Sequence, residues 1–92
     1  MKDQHELISG NKDLDQDTTD LLNRIQAHGE ETRKLVEAVQ ARTAKQYNAA
    51  RGDEELQGVA VDAMGWEEEG KRHLQTGFMF LTRAVAQPSS FA

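Results

Sequence analysis

Cysteine is absent from this 92-residue chain, which excludes disulfides and makes soft thiolate metal sites unavailable. That absence is compatible with a reducing compartment without requiring one. Proline occurs once, as Pro88. Aromatic residues number five, Trp66, Tyr47 and three Phe, within an apolar fraction of 37%. A chain this short buries only about 60–65% of its unfolded surface when it folds alone. Small scaffolds of this kind draw extra stability from disulfides, a metal or an oligomer. The histidines, His5, His28 and His73, are too far apart to share helical ligand spacing, so no metal site is expected. Association with other copies is left as the expected source of buried area.

Long apolar runs are missing as well. Nothing approaches the roughly 18 apolar residues of a membrane span, and Met1–Gly10 is too polar for a secretion signal. Eleven basic residues against sixteen acidic give a net charge of −5. A chain so charged gains no long-range attraction to duplex nucleic acid. Any anion it binds must be held by local geometry.

The ingredients of catalysis are equally scarce. Serines occur only as Ser9, Ser89 and Ser90, outside the expected helices and without a base to activate them. There is no Gly-rich phosphate loop. The acids are spread over helix surfaces rather than paired in a cleft, and Glu67-Glu68-Glu69 reads as a solvated face. The chain is not expected to be an enzyme, and no cofactor is implied.

What is present is helical periodicity. Leu22, Ile25, Gly29, Thr32, Val36, Val39 and Thr43 recur at alternating steps of three and four, one face of a helix. The expected architecture is all-α: a single domain over 1–92 with two long antiparallel helices that assemble into a helical oligomer. The expected parts are an N-terminal arm over 1–13, a first helix over about 15–46, a second over about 53–87 and a tail over 88–92. Ser9-Gly10-Asn11 supplies a turn signal, and Asp15 and Asp53 are the expected N-caps. Pro88 is the expected stop.

The second helix carries several rows. Ala63, Gly70, Gly77 and Ala84 lie seven residues apart, nearly in line. Such a row admits close approach of another helix, either within the hairpin or between subunits. Trp66, His73 and Phe80 form a parallel row expected to widen the buried face. Arg72, Thr76, Met79 and Arg83 form a further stripe at i, i+4, i+7 and i+11, expected to point away from the seam. A solvated face accounts for that stripe. So does a binding surface for a ligand with both phosphate and base, since Arg supplies forked donors and a flat stacking face.

The stretch Lys71–Phe91, KRHLQTGFMFLTRAVAQPSSF, resembles the C-terminal motif of the phage anti-CBASS cyclic-oligonucleotide sponges. The stretch ISGNKDLDQDTTDLLNRIQAHGEE near the N-terminus is similar to that family's opening. The resemblance implies a helical protomer within an interlocked hexamer, acting in the cytoplasm of the infected bacterium. Such a hexamer captures cyclic di- and trinucleotide signals of CBASS immunity without cleaving them. It implies that Arg72 and Thr76 bind the cyclic trinucleotide. For the dinucleotide pocket the sequence departs from the family, with Asn11 in place of a stacking Tyr and Gln26 in place of a phosphate-binding Lys. Lys12 and Arg24 are the nearby cations. From a different class, the acidic surface and amphipathic hairpin also suit a helical protein–protein interaction module, an assembly factor or antitoxin-like binder with no small ligand.

Overall fold

A computed structural model describes the backbone of residues 4–87 and the side chains of 15–87. The chain is a hairpin of two α-helices, α1 (Gln4–Ala49) and α2 (Glu54–Ala86). Both are rich in straight-chain residues and free of proline, which favours unbroken helix. Exposed i,i+3 and i,i+4 pairs reinforce α1: Arg33 reaches Glu30 and Glu37, and Lys34 reaches Glu31.

α1 starts earlier than the sequence suggested. It runs unbroken through Ser9-Gly10-Asn11 and past Asp15, so the turn and the cap expected there do not form, and the arm is helical from Gln4. The hydroxyl of Thr19 donates to the carbonyl of Asp15 at 3.0 Å, an interior helical contact. One glycine costs a helix only about 1 kcal/mol, too little to stop one that has no proline. At the other end α1 reaches Ala49 rather than 46.

The connection is short because its residues suit it. Ala50 N–H donates to the carbonyl of Gln46, Gly52 takes a φ of +88°, and Asp53 N–H returns to the carbonyl of Ala50. Asp53 caps α2 as expected, its carboxylate accepting from the N–H of Leu56 at 3.1 Å. α2 ends at Ala86, where Gln87 adopts a left-handed conformation and donates its N–H to the carbonyl of Arg83.

The two helices share a shallow seam. On α1 it follows the expected stripe, with Leu22, Ile25, Gly29, Thr32 and Val36 half-buried and Thr43 buried. On α2 it is formed by Ala60, Met64, Glu67, Lys71, Phe78 and Val85. Among the described residues only Ala50, Ala60 and Thr43 are buried, and no large side chain is fully enclosed. The radius of gyration is 21.2 Å, against about 12 Å for a compact domain of this length. α1, at 46 residues, outruns the 33 of α2, so its N-terminal end projects past the hairpin.

The seam corrects three expectations. Trp66 and Phe80 are 77% and 60% exposed, and His73 is exposed too. Their row lies across the helix from Ala60, Met64 and Glu67 and does not widen the buried face. Gly70 and Gly77 also lie outside the hairpin seam, and a Cβ at either would meet nothing within 4 Å. Glu67 is not on a solvated face: it is half-buried and accepts a hydrogen bond from the Thr43 hydroxyl. That hydroxyl also lies 3.1 Å from the Val39 carbonyl, and the contact with Glu67 ties the helices toward the turn end of the seam.

Replacing Asp53 by Ala is expected to lower stability in urea by about 1 kcal/mol at fixed protein concentration. Glu67→Ala is expected to cost about 1 kcal/mol through loss of the interhelical contact with Thr43. Its exposed neighbour Glu68→Ala should stay within about 0.5 kcal/mol of the parent. Equal effects at Glu67 and Glu68 would refute the inward placement.

Candidate ligand-binding flank

Arg72 and Thr76 stand one turn apart on the same flank of α2, as their spacing requires. The Arg72 guanidinium is 3.2 Å from Glu69, both side chains being more than half exposed. Glu69 also lies 3.6 Å from His73. Exposed pairs of this kind are worth under about 1 kcal/mol, so Arg72 can exchange Glu69 for a ligand phosphate at little cost. Thr76 is half-buried. Neither residue lines any of the four grooves described below, so in one protomer they present a convex surface rather than a pocket. Met79 reaches the edge of an interhelical groove, while Arg72, Thr76 and Arg83 line none of these grooves and face away from the seam, as expected.

That groove, about 560 Å³, brings Gln26 and Gly29 of α1 opposite Gln75, Phe78, Met79 and Thr82 of α2. Gln26 thus lies on the same side of the hairpin as Arg72 and Thr76, with Met79 between. A continuous groove of about 530 Å³ carries Arg33, Glu37, Lys71 and Gln75. Arg33 is engaged there at both ends, 3.0 Å from Glu30 and 2.8 Å from Glu37. Its pKa is raised above the ordinary arginine value, chiefly by the hydrogen bond to Glu30. Asn11 and Lys12 fall on the backbone of α1, and their side chains lie outside the described residues.

The other side of the hairpin differs. One groove there is lined by Arg24, His28, Thr32, Phe78 and Leu81, and another by Arg42, Thr43, Trp66 and Glu67. The sequence reading passed over Gln75, Lys71 and His28 as groove residues. Each stands next to a seam position, and the signal for them is that adjacency, visible only once the phase of the seam is fixed. Among the described residues no group of His, Asp or Glu could hold a metal ion, and no helix is long and apolar enough to cross a membrane.

No family model matches the chain, and no solved structure matches it. A curated relative does: anti-CBASS protein 2 of Pseudomonas phage JBD67 is 32% identical over 105 residues, spanning 96% of this chain and 97% of the relative. With 32% identity along nearly the whole of both chains, the chain belongs to the anti-CBASS protein 2 family.

Proposed function

We propose that the protein sequesters cyclic oligonucleotides made by CBASS immunity, as a homo-oligomer and without cleaving them, in the cytoplasm of the infected bacterium. The observation that carries the reading is the Arg72/Thr76 pair on an open flank, at the spacing the family uses for trinucleotides, in a chain that belongs to that family. A guanidinium held only by an exposed carboxylate is well suited to a phosphodiester, to which it offers stronger, forked donors.

Trinucleotides are the preferred ligand. Asn11 lacks the aromatic face of the family's Tyr, and Gln26 lacks the charge of its Lys. Each loss is worth about 1–3 kcal/mol by stacking and charged hydrogen-bond magnitudes. Dinucleotides therefore bind more weakly.

Assembly supports the same reading. A convex Arg72/Thr76 surface becomes a pocket only when copies from several subunits converge, which also concentrates positive charge that the net −5 conceals. The exposed row of Trp66 and Phe80, beside Gly70 and Gly77, is suited to cover by further copies. The resemblance implies six copies. An interaction module without a small ligand would use the same apolar row for a foreign protein, and binding measurements separate the two.

Calorimetry against cyclic tri- and dinucleotides, with a linear trinucleotide control, should give saturable binding of the cyclic trinucleotide alone among the trinucleotides. Dinucleotide binding should be weaker. Arg72→Ala should weaken trinucleotide binding at least tenfold, and an unchanged affinity would remove Arg72 from the site. Gly77→Leu has open space within the protomer, so light scattering should show it dissociating the oligomer while circular dichroism stays helical. An undisturbed oligomer would place the subunit interface elsewhere.

A further inference from the structure

Glu67, Glu68 and Glu69 are consecutive in sequence but have different surroundings. Glu67 turns into the seam and accepts from Thr43. Glu68 is exposed and forms no ion pair among the described residues. Glu69 stands one turn before Arg72. One of its carboxylate oxygens is 3.2 Å from Nη1 of the guanidinium, and the other is 3.6 Å from Nε2 of His73. A guanidinium has five donors in a fork, so a contact through Nη1 leaves others for a ligand. A ligand can displace the carboxylate from Arg72 but cannot remove it from the site. Residues three apart on one helix keep their Cβ atoms about 5–6 Å from each other. Any phosphate that Arg72 takes therefore has a carboxylate as its neighbour.

We infer that Glu69 is a specificity-determining residue of the proposed site, one that admits phosphodiesters and disfavours ligands ending in a phosphomonoester. The inference rests on the proposed function and deepens it. A phosphodiester carries a single negative charge, which the guanidinium satisfies through forked hydrogen bonds. A terminal phosphomonoester carries about −1.5 to −2 at pH 7. Its second charge meets the carboxylate of Glu69, well inside the Debye length of about 8 Å at physiological salt. A cyclic trinucleotide and its ring-opened form with a 5′-phosphate have the same bases and the same number of phosphates. They differ in that ring opening turns one diester into a monoester. A site built on arginine alone would attract the extra charge of the linear form, and the adjacent carboxylate offsets that attraction. In an oligomer that gathers several copies of Arg72, each copy brings its own Glu69. A protein that acts by occupancy gains from such a filter, because linear fragments would otherwise fill its sites.

The test is competition calorimetry of the full chain and its variants at about pH 8, where the monoester is a dianion. The ligands are cyclic tri-AMP, linear tri-AMP with a 5′-phosphate and linear tri-AMP without one. Glu69→Gln should bind cyclic tri-AMP no more than threefold more weakly than the parent. Its affinity for the 5′-phosphorylated linear form, relative to the cyclic one, should rise at least threefold, as expected for removing one charge at this range. The linear form without the phosphate should show no such rise. Glu55→Gln removes one charge from the exposed first turn of α2 and should leave the parent's ratio unchanged. A rise under threefold in Glu69→Gln, an equal rise for both linear forms, or an equal rise in Glu55→Gln would overturn the inference. So would a loss of more than threefold for cyclic tri-AMP, which would make Glu69 a support for Arg72. In each of these cases, cyclic tri-AMP binding that depends on Arg72 would leave the proposed function standing. A parent that binds no cyclic tri-AMP would remove both. Glu55 and Glu69 are exposed, and unchanged melting curves would verify that the variants are folded.

Discussion

Two helices laid side by side can bury one stripe each, and the depth of that stripe depends on the residues along it. Here Gly29, Thr32, Thr43 and Ala60 take places in the α1 and α2 seam, and its turn-proximal part holds a hydroxyl–carboxylate contact between Thr43 and Glu67. Such a seam sets register more than it adds stability. Burial of large side chains drives folding at about 25 cal/mol per Å² of apolar surface, and no large side chain among the described residues is fully buried. A protomer that leaves Trp66, Phe80 and Leu81 in water has unspent apolar surface on the outside of α2, which suits the proposed cover by a further copy. The thinness of the hairpin, the exposed aromatic row and the small-residue row beside it are consequences of the same constraint.

That constraint also shapes recognition. A helix pair 74 Å long and 16–23 Å across has no depth for an enclosed pocket, so ligand contacts fall on flanks and shallow interhelical grooves. The two flanks are chemically different. One carries Arg72, Thr76 and the amides of Gln26 and Gln75, with its second guanidinium, Arg33, tied down by Glu30 and Glu37. The other carries Arg24 and His28 over Phe78 and Leu81. Since isolated charges on an acidic protein attract weakly at long range, the proposed capture of a multiply charged ligand would depend on convergence of such flanks.

Much of this was legible in the residues. The 3–4 periodicity of Leu22 through Thr43 located the buried face of α1, and Asp53 capped α2 because a carboxylate before two glutamates and an apolar run has few other roles. The spacing of Arg72 and Thr76 placed them on one flank. Three features escaped for identifiable reasons. Ser9-Gly10-Asn11 reads as a turn locally, yet nothing near it outweighs helix propagation. Trp66, His73 and Phe80 share the seven-residue period of the seam, and period alone does not fix phase. Glu67 looked solvated within an acidic triplet because its partner, Thr43, lies 24 residues away across the hairpin.

The central claim is capture of a cyclic oligonucleotide without chemistry, and recovery of the ligand tests it most directly. The purified protein would be loaded with cyclic tri-AMP, freed of excess nucleotide by gel filtration and denatured, and the released nucleotide identified by mass spectrometry. The account predicts a stoichiometric yield of intact cyclic tri-AMP from an oligomeric peak. Recovery of a linear product would contradict it by revealing hydrolysis, and a nucleotide-free protein would contradict it by showing that nothing was held.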